Sequence, residues 1–410
     1  MKILNFGSCN VDYVYSLDHI VRVGETETTE RMEIFPGGKG LNQSIAVARA
    51  GAEIYHAGCV GNDGEMLTEL LGASGVNVSF MRRVDAKNGH AIIQVSAKGD
   101  NSIFLYPGSN EMVTKDYIDS VLESFEGGDI LLLQNEISNV DYIIEKAHSK
   151  RMRIVFNPSP INEKIAKIDL NMLSYLVLNE VEAKEITGKE SPDEVLVYFR
   201  AKYPFLKIML TLGDKGCVYM DSEREIWQGA FKVDVVDTTA AGDTFTGYFV
   251  AGVAGGDEYS EVLKIASAAS AISVSRNGAA PSIPMRDEVL ERFSSLKIND
   301  SDGKNELLRS QIEGYIEMNM KNASLEELAG ILGYSVVYTG NLAKKLTGFS
   351  FSKLLQNKRC TTAADLLAST DLSIKEIINM IGYENESFFR QMFKEKYGKS
   401  PLEFRKKGIK

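Results

Sequence analysis

With 410 residues the chain is too long for one ordinary domain, and its 44% hydrophobic and 25% charged content is that of a soluble globular protein. Polar residues interrupt Met1–Gly7 before an apolar core forms, no apolar run is long enough to span a bilayer, and Cys9, Cys59, Cys217 and Cys360 are scattered. These features lead us to expect no signal peptide, no membrane span and no cysteine metal cluster, and a cytoplasmic protein with reduced cysteines. The formal net charge of −10 is unevenly spread: from Glu306 onward 16 Lys+Arg face 12 Asp+Glu. An acidic body therefore carries a basic tail, and only the tail suits a polyanion.

Residues Lys2–Cys9 read as a buried first strand ending at Gly7-Ser8-Cys9-Asn10-Val11-Asp12. Polar Asn10 and Asp12 directly after an apolar strand sit where ligand groups gather in open α/β sheets, and they equally fit a satisfied turn. The Thr-rich stretch Gly24–Glu30 reads as an exposed β-ribbon. Phe35-Pro36-Gly37-Gly38-Lys39-Gly40-Leu41-Asn42-Gln43 then leads into an Ala-rich helix, Ser44–Gly51. Its glycines allow a backbone to approach a ligand closely, and Lys39 and Asn42 carry donors, but the spacing is not that of a phosphate loop ending in Gly-Lys-Ser/Thr.

Strand patterns at Ile54–Val60, Ile92–Ser96, Ile103–Tyr106, Ile130–Leu133, Ile154–Phe156, Tyr175–Leu178, Ile208–Leu212 and Cys217–Met220 then appear, and several are separated by helix-like segments such as Thr114–Phe125 and Val140–Lys150. That order predicts a doubly wound parallel sheet. Polar clusters follow four of the strands, at Gln134–Glu136, Asn157–Pro160, Asn179–Glu182 and Thr211–Gly216, and together they predict a cleft. Further on, alternating Phe231–Val236 reads as a strand and Thr244–Val253 as a tightly packed helix. The turn between them would leave amides at a helix N-terminus, an anion site by construction. We expect the amides of Ala240, Ala241 and Gly242 to hold a transferring phosphoryl group while Asp243 takes a proton from an alcohol; the alternative is a plain helix N-terminal acid.

Gly7–Asp12, Gly37–Gln43, Asn179–Glu182, Thr211–Gly216 and Asp237–Phe245 together resemble the ribokinase family of sugar kinases, over roughly residues 1–295. The resemblance implies ATP as phosphoryl donor and Asp243 as catalytic base. Asn10, Asp12, Gly38, Lys39, Asn42 and Glu136 would hold the sugar, with ribose the leading expectation. Asn179 and Glu182 would organise Mg²⁺ through water, and Thr211, Gly213, Gly216 and Ser267, with Asn179, would line the nucleotide. K⁺ would sit behind the turn on Asp237, Thr239, Ser273, Arg276, Gly278 and Ser282. A β-ribbon lid near Gly24–Ile34 and Ala91–Leu105 would exclude water and pair two subunits into a homodimer. The alternatives are a kinase for another sugar or nucleoside, and a sugar sensor without catalysis.

After a polar linker at 298–305 comes a repeat of about fifty residues: Ser324–Tyr334 matches Ser373–Tyr383. Each copy opens with a capping box, Ser324 with Glu327 and Ser373 with Glu376, and each precedes a second helix, Val336–Leu346 or Glu386–Lys396. The two units, joined by a helix at Phe351–Ser369, resemble the AraC-type DNA-binding domain over residues 306–408. That resemblance implies double-stranded DNA as partner. Arg390 and Gln391 suit base edges; Lys344, Lys345, Lys394 and Lys396 suit phosphates, and Asn341 joins them on the first reading helix. Gly340 and Ala343 depart from the family pattern, so the first reader is expected to bind more weakly. The expected architecture is thus α/β, a doubly wound sheet with a β-ribbon lid over residues 1–297, then an all-α double helix-turn-helix domain over 306–410.

Overall fold

The computed structural model describes residues 1–29, 31–98, 100–298, 303–370, 372–383 and 385–408, without the side chains of Ala166, Lys345 and residues 303–306 and 406–408. These form two compact units, Met1–Asn299 and Asp300–Lys410. Of the expected linker, residues 299–302 lie outside the described residues.

The first unit contains strands β1 (Ile3–Phe6), β2 (Asn10–Leu17), β3 (Arg31–Gly37), β4 (Ile54–Val60), β5 (Asn77–Arg83), β6 (Gly89–Ser96) and β7 (Asn101–Tyr106). They are followed by β8 (Ile130–Gln134), β9 (Arg153–Asn157), β10 (Tyr175–Asn179), β11 (Lys207–Thr211), β12 (Cys217–Met220) and β13 (Glu225–Gln228). A nine-stranded sheet has the order β13-β12-β11-β10-β9-β8-β1-β4-β5. It is parallel from β5 to β11, while β12 and β13 run antiparallel at one edge, so the expected parallel sheet is a mixed one. The chain winds outward from β1 through β4 to β5 on one side, and from β8 to β11 on the other. The strand order therefore reverses between β1 and β8, and open α/β sheets bind ligands outside the carboxyl ends of the strands at such a point.

The strands alternate between two apolar layers. Ile3, Ile130, Leu132, Val155 and Val177 face α1 (Lys39–Arg49), α2 (Glu65–Ala73), α7 (Ala241–Gly255), α8 (Tyr259–Val274) and α9 (Arg286–Phe293). Leu4, Phe6, Leu131, Leu133 and Ile154 face α3 (Lys115–Leu122), α4 (Val140–Ser149), α5 (Glu180–Thr187) and α6 (Pro192–Lys202). A second sheet, β3-β2-β6-β7, stands apart from the first.

Two sequence expectations change here. Residues Gly24–Thr29 are irregular, tied by the Glu25 carboxylate to His19 and to the Arg22 amide, and the ribbon begins at Arg31. Its central strand β2 follows directly from Asn10, because it has partners on both sides in β3 and β6. Residues Phe231–Val236 alternate but do not form a strand: they meet the isolated Phe231–Ile298 bridge, the Lys297 carbonyl through the Lys232 amide and the Val274 carbonyl at the end of a helix through the Val236 amide, and Val235 and Val236 are exposed. An alternating pattern without a neighbouring strand has nothing to pair with.

The second unit comprises α10 (Gly303–Met318), α11 (Leu325–Leu332), α12 (Val336–Thr347), α13 (Phe351–Ser369), α14 (Ile374–Met380), α15 (Glu386–Tyr397) and α16 (Pro401–Gly408). One small core forms around Ile312, Tyr315, Leu328, Ala343 and Phe351, and a second around Leu367, Ile377, Phe389 and Phe393. Ser373 and Glu376 make the full reciprocal capping box. In the first copy Ser324 caps the Glu327 amide, but the Glu327 carboxylate accepts from the Tyr315 hydroxyl, which in turn accepts from the Ser324 amide. A tyrosine has taken the reciprocal half of that box.

Helices α1 and α7 touch through glycine: a methyl group at Gly247 would overlap Ala46. Gly247→Ala is expected to lower the thermal unfolding midpoint, although alanine is the better helix former by ~1 kcal/mol. Forcing apart two packed helices typically costs ~1–3 kcal/mol, which outweighs that gain. A raised midpoint would show that the helix pair has slack.

Candidate active site and nucleic-acid interface

The carboxyl ends of β1, β8, β9, β10 and β11 present Gly7-Ser8, Gln134-Asn135-Glu136, Asn157, Asn179 and Thr211 along one edge. Helices α1 and α7 start above that edge, but their first turns differ. At α1 the amide of Lys39 donates to Glu136, and the amides of Gly40 and Leu41 donate to the side chain and carbonyl of Ser8. That helix end is satisfied internally. At α7 the amides of Gly242 and Asp243 have no partner among the described residues. Ala240 caps the helix at φ 60°, a left-handed conformation uncommon for a side chain with Cβ, and it turns this end toward the cleft. The Ala241 amide, expected to face the anion, instead closes the turn on the Thr238 carbonyl at 3.2 Å.

Asp243 lies in the first turn of α7 and is 8% exposed. Its Oδ2 accepts from Asn42 Nδ2 at 3.0 Å and its Oδ1 from Gln43 Nε2 at 2.9 Å. Gln43 was not among the expected site residues, although its place beside Asn42 at the start of a helix was the available signal. Glu136 accepts from the Ser8 hydroxyl and the Lys39 amide, bridging the reversal point between β1 and β8. Burial lifts its carboxyl above the ordinary range, against the pull of the Lys39 ammonium. Burial opposes the charge on Lys39, but Asp243, Glu136 and Glu182 outweigh it and hold its ammonium above the usual value. Asp12 has no such neighbour: burial first, and the negative charge of Glu136 second, push its carboxyl up to about 7.

The glycines of the site shape its walls. A side chain at Gly37 would overlap the Asp12 carboxylate, and one at Gly40 would overlap the Ser8 amide. Gly38, at φ 94°, passes over Asn10 and Ser8. Asn10 is 6% exposed and its Oδ1 accepts from Asn110 Nδ2 at 2.8 Å. Asn110, which nothing in the local sequence singled out, also accepts from the Cys9 amide and so fixes the β1–β2 turn.

At the ends of β10 and β11, Asn179 and Glu182 form a reciprocal capping box at α5: Asn179 Oδ1 accepts from the Glu182 amide at 2.8 Å, and Glu182 Oε2 from the Asn179 amide at 3.0 Å. This leaves Glu182 Oε1 outside the box. Thr211 Oγ1 donates to the Leu178 carbonyl, and Gly213 and Gly216, at φ 57° and 105°, form the following loop. Ser267, on α8, lies 3.7 Å from Cys217 Sγ and is 8% exposed.

Behind the α7 turn, Asp237 accepts from the amides of Thr239 and Gly278; burial pushes its carboxyl up, but the Thr239 hydroxyl together with these two amides outweighs it and holds the carboxyl below the usual range. Ser273 and Ser282 share a hydroxyl–hydroxyl bond of 2.7 Å, and Thr244 Oγ1 lies 3.3 Å from Ser273. The Arg276 guanidinium is turned away, paired with Glu288, which leaves only its carbonyl as a donor to a cation.

In the second unit, Arg390 on α15 is paired with Glu386, and Gln391 donates to Glu395 at 3.0 Å. Lys344, Lys394 and Asn341 are exposed, while the Lys345 side chain lies outside the described residues. Lys396, expected on phosphate, instead donates to the Asn357 carbonyl and Thr361 hydroxyl of α13.

Residues 1–286 match the pfkB family carbohydrate kinase model, and residues 328–407 match a helix-turn-helix domain of AraC type. The ribokinase of Bacillus subtilis is 35% identical over 292 residues, covering 70% of this chain and 98% of that one. The crystal structure of Cryptococcus neoformans ribokinase in complex with ADP is 33% identical with a TM-score of 0.64, over 71% of this chain and 98% of that one. The Arabidopsis thaliana ribokinase complexed with ribose and ATP is 27% identical, also at 0.64, over 71% and 98%. With its Asp243-bearing helix, its Gly-Gly-Lys-Gly wall and its duplicated tail helices, this chain belongs to the pfkB family of carbohydrate kinases, as a sugar kinase fused to an AraC-type DNA-binding domain.

Proposed function

We propose that the first unit transfers the γ-phosphoryl group of ATP to the primary hydroxyl of ribose, giving ribose 5-phosphate, with Asp243 as the base. The observation that carries this is the Asp243 carboxylate, nearly dry and held by two amide donors, beside the unpartnered amides of Gly242 and Asp243. A hydroxyl lying against Asp243 loses its proton as it attacks, while those amides and the positive end of α7 take up charge on the transferring group. The Ala240 amide belongs to the same cradle; that of Ala241 shapes it.

Asn10, Asp12, Gly38, Lys39, Asn42 and Glu136 line the sugar position. Carboxylates at Asp12 and Glu136 accept from sugar hydroxyls, and the buried Asn42 Oδ1, which has no partner among the described residues, is an acceptor for another. Asn179, Thr211, Gly213, Gly216 and Ser267 face the nucleotide. Kinases of this family use ATP with Mg²⁺. Glu182, with Oε1 uncommitted, would hold that ion through water, and when bound the ion would neutralise charge on the phosphates. Asp237 and Ser282, with carbonyls of Thr239, Ser273, Arg276 and Gly278, offer a hard, oxygen-only donor set that suits K⁺. When bound, that ion would steady the α7 turn from behind.

The second sheet covers the sugar, and its edge strand β7, where Ile103 and Leu105 on one side and Phe104 and Tyr106 on the other are exposed, supports a homodimer through this sheet. The second unit binds double-stranded DNA, with Arg390 and Gln391 reading base edges and Asn341, Lys344, Lys345 and Lys394 supplying further contacts. The reaction class and the sugar are tested together by turnover with ATP, Mg²⁺ and K⁺ across pentoses, hexoses and nucleosides. Phosphorylation of ribose above the rest is expected; sugar binding without turnover would mark a sensor.

Asp243→Asn is expected to lower kcat by about 10²–10⁴-fold while ATP still binds, as measured by steady-state kinetics and nucleotide titration. Sugar affinity is expected to weaken as pH falls through about 7, because sugar hydroxyls donate to the ionised Asp12 and protonation removes that acceptor. The check is sugar affinity against pH, where Asp12→Asn should bind weakly and flatten the profile; equal wild-type affinity on both sides of that pH would refute the assignment. Arg390→Ala should cost ~1–3 kcal/mol of operator affinity and relax preference at one base pair, whereas Lys394→Ala should weaken all sequences alike and reduce the salt slope by about 1.

A further inference from the structure

We infer that Gln43 is a positioning residue for phosphoryl transfer, and that buried amides rooted in two backbone carbonyls force its NH₂ group onto the base. This rests on Asp243 being that base. A primary amide can present either its oxygen or its NH₂, so a glutamine beside a carboxylate is useful only if something sets its direction. A backbone carbonyl can only accept, and two of them set it here.

The first root is the Val177 carbonyl, to which Asn157 Nδ2 donates at 3.1 Å. Asn157 therefore turns its oxygen toward Gln43, whose Nε2 donates to it at 3.2 Å and to Asp243 Oδ1 at 2.9 Å. The second root is the Gly40 carbonyl. Asn5 Nδ2 donates to it and to Ser44 Oγ, both at 2.8 Å, which leaves Asn5 Oδ1 to accept from Gln134 Nε2 at 3.1 Å. The same Gln134 nitrogen donates to Gln43 Oε1 at 2.7 Å. The Gln43 oxygen is thus occupied from one side, and its NH₂ is required on the other.

Asn5 and Gln43 are 0% exposed, Gln134 1% and Asn157 9%, so solvent does not substitute for these bonds. The arrangement leaves Gln134 Oε1 buried without a partner among the described residues. Turning Gln134 over would not relieve that, because its oxygen would then meet the oxygens of Gln43 and Asn5. The network keeps one unsatisfied acceptor and in exchange has a single direction.

That direction serves the reaction. Gln43 holds Oδ1 of Asp243 and Asn42 holds Oδ2, so the carboxylate plane is fixed and its remaining lone pairs are set toward the cleft. Without Gln43 the carboxylate keeps one donor and can turn about its Cβ–Cγ bond, which degrades alignment with the attacking hydroxyl while leaving both substrates their own contacts.

The test uses the full chain and Gln43→Met, which matches the glutamine in length and has no donor. The expected result is a fall in kcat for ribose phosphorylation of about 10- to 100-fold, with KM for ribose and ATP changed less than about threefold. Gln134→Met, which touches Gln43 but not Asp243, should lower kcat in the same direction, and it carries the test if Gln43→Met does not fold, as judged by its thermal unfolding transition. In an Asp243→Asn background Gln43→Met should have no further effect, because Gln43 acts only through the base. A folded Gln43→Met with wild-type kcat, or one whose loss is undiminished in that background, overturns the inference. Wild-type turnover by Asp243→Asn alone would instead remove the base assignment beneath it.

Discussion

A carboxylate kept almost dry at the first turn of a helix is the demand that the rest of the first unit meets. Burying an ion is costly unless hydrogen bonds replace its water. Asp243 receives them from Asn42 and Gln43, both on α1. Helices separated in sequence by some two hundred residues must therefore lie in close contact, and glycines let them do so: Gly247 passes Ala46, and Gly40 passes Gly7 and Ser8. Read in this light, the Gly-Gly-Lys-Gly segment is first a way of bringing backbone to backbone. Its proximity to a ligand follows from that packing, since the amides at the start of α1 are already spent on Ser8 and Glu136.

The same constraint explains the electrostatics of the cleft. Asp12, Glu136 and Asp243 share a small, poorly hydrated space, where like charges raise one another's cost. Lys39 lies among them and offsets Glu136 and Asp243, whereas Asp12 is left to rise to about 7. A polyhydroxylated ligand relieves this arrangement, because each hydroxyl can donate to a carboxylate without adding charge. The cleft separates two chemistries over a short distance: hydrogen-bond acceptors on the α1 side and unpartnered amide donors at the start of α7, the arrangement that the proposed transfer from a phosphate to a hydroxyl calls for.

Much of this was legible in the sequence because the polar groups that build the cleft and its support lie at the ends of short apolar strands, where a polar residue breaks a hydrophobic run. Gln134, Asn157, Asn179 and Thr211 stand out in that way, and each ends its strand in the fold. What could not be read depends on partners distant in the chain. Residues Asn10–Leu17 form a strand because β3 and β6 flank them, whereas the equally alternating Phe231–Val236 meets no strand and remains irregular. Ser8, Gln43 and Asn110 are ordinary polar residues until the fold brings Glu136, Asp243 and Asn10 beside them. The Ala241 amide was misassigned for a related reason: a turn can use its own donors, and the sequence does not show which one it will use.

The tail applies one plan twice with unequal surfaces. Ser335 and Asn385 cap equivalent helices, Gly348 and Gly398 end them in left-handed conformations, and Thr339 and Phe389 fill matching buried positions. Where the second helix buries Phe393 against Phe389 and Phe404, the first has Ala343, and Ile312, Tyr315 and Phe351 occupy the space that a smaller side chain leaves. On the outer face the contrast is sharper. Glu386 and Arg390 correspond to Val336 and Gly340, so the first helix has no charged pair at the positions from which the second presents a guanidinium. An arginine fork distinguishes guanine by two hydrogen bonds, and a glycine has no side chain with which to do so. Sequence discrimination should therefore fall mainly on α15, with α12 adding backbone affinity through Lys344; the two units share the placing of caps and buried positions, while both the side chains that fill their cores and the residues that would read DNA differ.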